Sequence, residues 1–232
     1  MINSLVHWGA GLIAALTLGV TDARDLGGGG ARPDLVARIA EVAPDLSKEA
    51  LQAALASHAC ARQQGLFESD EDARLLTVID YSRPSTAPRL WVIDLESGEL
   101  RYRERVAHGR NTGEDTAQAF SNRDGSLQSS LGVFRTAETY VGSNGYSLRH
   151  DGLEPGFNDR ARARAIVMHG APYVSDEFIA STGRIGRSWG CPALAQAISK
   201  QVIDAIRGGT LIVSWYPDPD WLSSSPFLHC SG

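Results

Sequence analysis

No stretch of this 232-residue chain is apolar for long enough to cross a bilayer comfortably. The nearest candidate, residues 8–20 (WGAGLIAALTLGV), has no Lys or Arg before it and is followed by Thr21-Asp22-Ala23. The apolar run itself predicts a secretory leader over residues 1–23, cleaved near Ala23, and hence a periplasmic or secreted protein of the cell envelope, although the basic residues that normally precede such a run are missing; a mis-assigned start or a buried short helix is the alternative. Positive charge is not in excess either. Lys and Arg total 22 against 27 Asp and Glu, a net charge of -5, and the short basic clusters are interrupted by acids. Nothing in that balance favours a nucleic-acid partner. There is no internal period, which excludes repeat architectures. Cysteine is scarce, with three in the chain, so at least one is left over. Cys60 and Cys230 could pair in an oxidising compartment and leave Cys191 free; equally, both could be buried thiols.

What is present is an ordinary globular composition, 43% hydrophobic and 21% charged, long enough for one main domain with a small helical addition. The glycine run 27–30 and Pro33 predict a flexible linker over 24–32. Residues 34–43 (DLVARIAEVA) and 47–64 (SKEALQAALASHACARQQ) read as amphipathic helices, together a helical segment over 33–66. In the second, Leu51, Leu55, Ala59 and Arg62 follow the helical spacing, Ser47 suits the N-cap and Gly65 the stop. Residues 67–232 then form the main domain. Its first strands, 75–81, 89–95 and 100–107, are joined by short connections that predict an antiparallel meander. Arg101, Arg103 and Arg105 alternate in the third strand as a solvated face. Residues 108–160 are polar and glycine-rich, with short strands at Phe134 and Tyr140 and a turn at Ser143-Asn144-Gly145. Tyr, Phe and Leu are too dense there for disorder, which predicts a functional loop system. Residues 164–169 (RAIVMH) form a strand ended by Gly170. Residues 193–207 form a helix closed by Gly208-Gly209, and 210–216 a last strand, before a tail that wraps the surface.

The chemistry concentrates in Ser181–Ala193 (STGRIGRSWGCPA). Pro192 suits the first position of the helix behind it, which would set Cys191 at the N-cap. There the helix dipole and Arg187 would lower the thiol pKa. His169, at a strand end, could take the thiol proton. The amides of Gly190 and Cys191 could hold an oxyanion. A metal fares worse. His169 and Asp176 stand seven positions apart, but a third ligand would have to be remote, such as His150, Cys191 or His229. No metal and no cofactor are therefore expected.

The string HGAPYVSDEFIASTGRIGRSWGCPAL resembles the active-site region of the L,D-transpeptidase catalytic domain, and more narrowly its murein L,D-transpeptidase branch. The upstream strings VIDYSRPSTAPRLWVIDLESGE, VAHGRNTG, FSNRDGSLQSSLGVF and GYSLRHDGLEPGFNDRARARAIVMHG extend the likeness over about residues 70–216. The resemblance implies a mostly β fold, a mixed β-sandwich with an N-terminal helical preface and one helix following the nucleophile. It makes Cys191 the nucleophile, His169 the base and the Gly170 carbonyl the group that orients the imidazole. Substrate contacts fall to Arg187, Ser188, Trp189, Tyr173 and Ser130. The wider family usually reads Ser-His-Gly-Cys, whereas Trp189 stands here in place of the second histidine. It also commonly has an arginine after the cysteine, where this chain has Pro192-Ala193, so Arg187 is the expected carboxylate ligand. The implied activity is peptidoglycan L,D-transpeptidation through a thioester on peptide stems, with L,D-carboxypeptidase or endopeptidase action and a non-catalytic envelope-binding role as alternatives. A carbapenem would acylate the same cysteine.

Overall fold

The computed structural model describes Met1 and residues 33–230; the predicted leader beyond Met1 and the whole predicted linker lie outside the described residues. In chain order the elements are α1 (Pro33–Val42), α2 (Lys48–Gln63), β1 (Leu75–Asp80), β2 (Leu90–Asp94), β3 (Leu100–Glu104), β4 (Gly132–Gly142) and β5 (Gly145–Gly152). Then come β6 (Val167–Ala171), α3 (Asp176–Thr182), β7 (Ala193–Ala195), α4 (Gln196–Ile206), β8 (Leu211–Trp215) and α5 (Pro219–Ser224). The described chain is mostly β, with a helical preface and a helix following Cys191, as the sequence predicts.

Ser47 caps α2 by accepting from the Ala50 amide at 3.3 Å, and its hydroxyl donates to Asp80 at 2.8 Å, tying the helix start to the end of β1. The buried surface of α2 is wider than the predicted stripe. Ala50, Ala53, Ala54, Ser57 and Cys60 are buried with Leu51 and Leu55, whereas Ala59 is half-buried and Arg62 exposed. Small side chains let the helix lie close to the sheet, so it inserts more than one face. The preface shares one apolar cluster with Leu76, Val78, Trp91, Val213 and Trp215 of the sheet. Cys60 and Cys230 form a disulfide, and the tail from Pro217, which includes α5, buries Trp221 and Phe227 rather than wrapping the surface.

The strands form one mixed sheet in the order β3-β2-β1-β8-β4-β5-β6-β7. β1, β2 and β3 make the expected antiparallel meander, and β8 joins β1 in parallel. Beyond the edge strands, the bridges Ala107↔Ala193 and Gly109↔Ser188 bring the chain after β3 onto β7 and the cysteine loop. The arginine stripe of β3 and the residue after it is half-solvated but paired, Arg101 with Asp94, Arg103 with Asp45 and Arg105 with Asp176.

Two expectations fail here. Much of the presumed loop system is the long hairpin β4–β5, turned at Ser143-Asn144 and irregular between Thr136 and Thr139. That irregularity and the many Thr, Ser and Gly residues hide the alternation that marks a strand. The predicted helix over 193–207 begins late, because Ala193–Ala195 is a strand paired with β6. A buried backbone at the sheet margin must satisfy its amides and carbonyls, and pairing with β6 and Ala107 does so.

Candidate active site

Backbone pairing, not a helix end, brings Cys191 and His169 together. β6 and β7 run parallel with His169 opposite Ala193, two residues beyond Cys191, and the His169 amide faces the Pro192 carbonyl at 3.4 Å. β6 itself starts only at Val167, because Ala165 adopts φ 52, and it continues past Gly170 to Ala171.

Since α4 starts at Gln196, the helix dipole does not act at Cys191 as predicted. Cys191 is 8% exposed. It accepts from the Val167 amide at 3.5 Å and donates to the Ala165 carbonyl at 3.7 Å. Burial raises the thiol above its ordinary value, opposed by the Val167 amide and by the positive charge of Arg164. His169 is also buried, which lowers its pKa, while its bond to the Gly170 carbonyl pulls the other way. Both shifts favour uncharged forms, so the resting groups are a thiol and a neutral imidazole at neutral pH. Nδ1 of His169 lies 3.0 Å from the Gly170 carbonyl, which can only accept, so Nδ1 carries the proton and Nε2 the lone pair. Among the described residues no hydrogen bond joins the sulfur and the ring.

The cysteine loop is braced from within. Ser188 donates to the Cys191 carbonyl at 2.6 Å and accepts from the Gly190 amide at 3.1 Å. Ser188 therefore braces the turn that carries Cys191. Of the two predicted oxyanion donors, the Gly190 amide is engaged by Ser188, whereas the Cys191 amide faces its own sulfur. Gly190 has φ +124, and a Cβ on it would stand 2.8 Å from the Gln128 carbonyl oxygen, so only glycine fits. Ser129 donates to the Gly190 carbonyl and accepts from the Gly109 amide, both at 3.0 Å.

Arg187 is not the loose cation the sequence suggests. Its Nη1 donates to the Arg110 and Gly113 carbonyls and to Glu114 at 2.6 Å, which commits it to the 110–114 loop. The cation acting on Cys191 is Arg164. Ser130 is buried, donating to the Ser121 carbonyl and accepting from Arg164 at 2.6 Å. Tyr173 packs against the Gly186 backbone, and burial, with a contribution from Cys191, pushes its phenol up to about 12. Trp189, 75% exposed directly before Gly190, is the predicted contact residue most open to a ligand. The metal candidates do not converge. Asp176 heads α3 and pairs with Arg105, His150 packs edge-on to Phe134, and His229 bonds the Leu222 carbonyl. Among the described residues no cluster of three His, Cys, Asp or Glu could hold a metal ion.

Sequence reasoning missed the supports beneath the loop. Arg89 is buried and donates to His108 Nδ1 at 2.8 Å, while His108 Nε2 donates to the carbonyls of Gly113 and Glu114. Burial and the Arg89 charge push His108 down to about 4, so the ring stays neutral under a charged guanidinium. Arg164 was legible only as the first residue of the strand read over 164–169, and nothing in that position marked it out.

Together these features define a mixed-sheet domain that presents one free, shielded cysteine, with a histidine on the neighbouring parallel strand, under a glycine-rich loop. A sequence model of the L,D-transpeptidase catalytic domain matches residues 42–215, and the chain belongs to that family. Comparison with curated proteins gives no match. Among solved structures, an L,D-transpeptidase from Mycobacterium smegmatis is similar at 15% identity and TM-score 0.40, covering 62% of this chain and 59% of that one. The L,D-transpeptidase LdtMt1 in complex with imipenem is similar at 17% identity and TM-score 0.38, covering 61% and 59%. Bd1075 of Bdellovibrio bacteriovorus is similar at 16% identity and TM-score 0.39, covering 64% and 50%. The chain thus spans between half and three fifths of those proteins.

Proposed function

We propose that this protein is an exported cysteine acyltransferase that forms peptidoglycan crosslinks by L,D-transpeptidation. The observation that carries this is the β6–β7 pairing, which gathers the free thiol and a histidine whose Nε2 holds its lone pair. When a tetrapeptide stem binds, His169 Nε2 takes the Cys191 proton as the sulfur attacks the carbonyl of the third residue. The Cys191 amide donates to the oxyanion. Collapse breaks the peptide bond, His169 returns its proton to the departing D-alanine amine, and a thioester remains. An amine from a second stem then attacks the thioester, giving its proton to His169 and releasing the sulfur as thiol. Because the resting groups are uncharged, proton transfer accompanies attack rather than preceding it. Trp189 offers an exposed ring on which stem or sugar can stack. A carbapenem, with its reactive acyl carbon, would acylate the same sulfur. The Cys60–Cys230 disulfide supports an oxidising compartment outside the cytosol.

The test is product analysis with a disaccharide-tetrapeptide and no other protein. A crosslinked dimer with released D-alanine, absent in Cys191→Ala, is expected. Tripeptide and D-alanine without dimer would replace transpeptidation by L,D-carboxypeptidase action, and no turnover would leave an envelope-binding role.

A further inference from the structure

Arg164 stands apart from most arginines in this chain. Its Nη1 donates to the Ser121 carbonyl and to Ser130, both at 2.6 Å, and its Nη2 to Ser126 at 3.1 Å and the Gln128 carbonyl at 2.7 Å. All four acceptors are neutral. Asp124, the acid that acts on it through space, is itself bonded to Arg160 at 2.5 Å. The neighbouring arginines are held by carboxylates, Arg162 by Glu138 and Asp151, Arg184 and Arg187 by Glu114. The 121–130 segment that Arg164 grips is the one that meets the cysteine loop: Ser129 bonds the Gly190 carbonyl, and the Gln128 carbonyl stands against Gly190. On its other side Arg164 is continuous with Ala165, whose strained φ of 52 turns a carbonyl toward the sulfur. The charge is within electrostatic reach of Cys191, and the effect is mutual.

We propose that Arg164 is a positioning residue for Cys191: one guanidinium, bonded to neutral oxygens and to no carboxylate, locks the 121–130 segment against the cysteine loop and holds a positive charge toward the sulfur. The other groups that bear on the thiol are Tyr81 and Tyr173, neither of them a cation, and His169 on the neighbouring strand is neutral in the resting site. Arg164 therefore supplies what the helix end does not, a field that stabilises the sulfur as it loses its proton. The structure gives that work to a residue before the histidine strand, not to one after the cysteine.

This rests on Cys191 as the nucleophile, yet it can be tested without substrate. Cys191 is the one free thiol, so iodoacetamide alkylation of the oxidised protein, followed by mass spectrometry across pH, reads its ionisation directly. Arg164→Gln should move the alkylation midpoint up by about one pH unit. Arg164→Lys, which keeps the charge and loses the fork, should hold the midpoint near wild type while amide exchange in 121–130 accelerates about tenfold. A folded Arg164→Gln with the wild-type midpoint overturns the proposal. If Arg164→Gln does not fold, Arg164→Lys decides, and unchanged exchange in 121–130 overturns it. A shifted midpoint in a protein without transpeptidase activity would keep the role of Arg164 and sink the function proposed above.

Discussion

At the residue scale, the site is a pair of groups that burial keeps neutral. Cys191 is shifted up and His169 down, so the histidine is competent as a base over more of the acid range than a free imidazole. The acid limb of kcat/KM against pH should therefore fall below 6.5, the ordinary histidine value, and a limb at or above it would contradict the burial argument. Trp189 makes the opposite case, a large ring left in solvent beside the cysteine. Trp189→Ala should leave the thermal midpoint nearly unchanged and raise KM for a stem peptide about three- to tenfold, the loss of one aromatic contact. Equal KM values would make the ring incidental. Cys191 and His169 were legible in the sequence because a cysteine among glycines behind a strand-ending histidine is a rare grouping. That Arg187 Nη1 and the Ser188 hydroxyl are engaged within the loops was not legible, because residue type does not reveal which polar atoms the fold itself uses.

At the scale of elements, β7 carries the main lesson. Three residues, Ala193–Ala195, have helical composition and a proline before them, yet they pair with β6, since the sheet margin offers partners that a helix turn would forgo. Local propensity set the helix at 193 and tertiary pairing moved it to 196. Had the helix started earlier, the thiol would feel its dipole; in the observed register it feels Arg164 instead. The tail behaves likewise. Glu154, buried, accepts from the Val133 amide at 2.6 Å, from Trp221 Nε1 at 3.0 Å and from Ser225, fastening α5 to β4. Glu154→Ala would leave two buried N–H donors without a partner and should cost about 3 kcal/mol in denaturant unfolding. A loss below about 0.5 kcal/mol would show that the tail is not held there. The meander β1–β3 was readable because its branched and aromatic runs and short connections are strong, whereas of the β4–β5 hairpin only the turn and short pieces were, because a bulge and polar residues break the period.

At the scale of the molecule, several histidines are folded in as neutral groups. His108 and His150 are each held down to about 4, chiefly by burial. An unfolded histidine titrates near 6.5, so between that value and about 4 the unfolded chain binds protons that the folded one refuses. Stability is therefore complete above pH 6.5 and falls as the pH drops toward 4, by about 3 kcal/mol for each ring. Urea titrations across that window should show the loss, and His150→Leu should flatten roughly half of it; a flat profile in the wild type would contradict the neutral burial of both. The Cys60–Cys230 bridge, joining positions separated by 170 residues, closes the preface onto the tail. The central claim is that one sulfur, paired across two parallel strands with one imidazole, carries the acyl group. It is tested most directly by trapping the enzyme with a tetrapeptide stem at short times and mapping the intact mass increase by peptide digestion. A tripeptide-stem adduct on Cys191, absent in His169→Ala, is the predicted result; turnover with no adduct on Cys191, or full activity in Cys191→Ala, would contradict it.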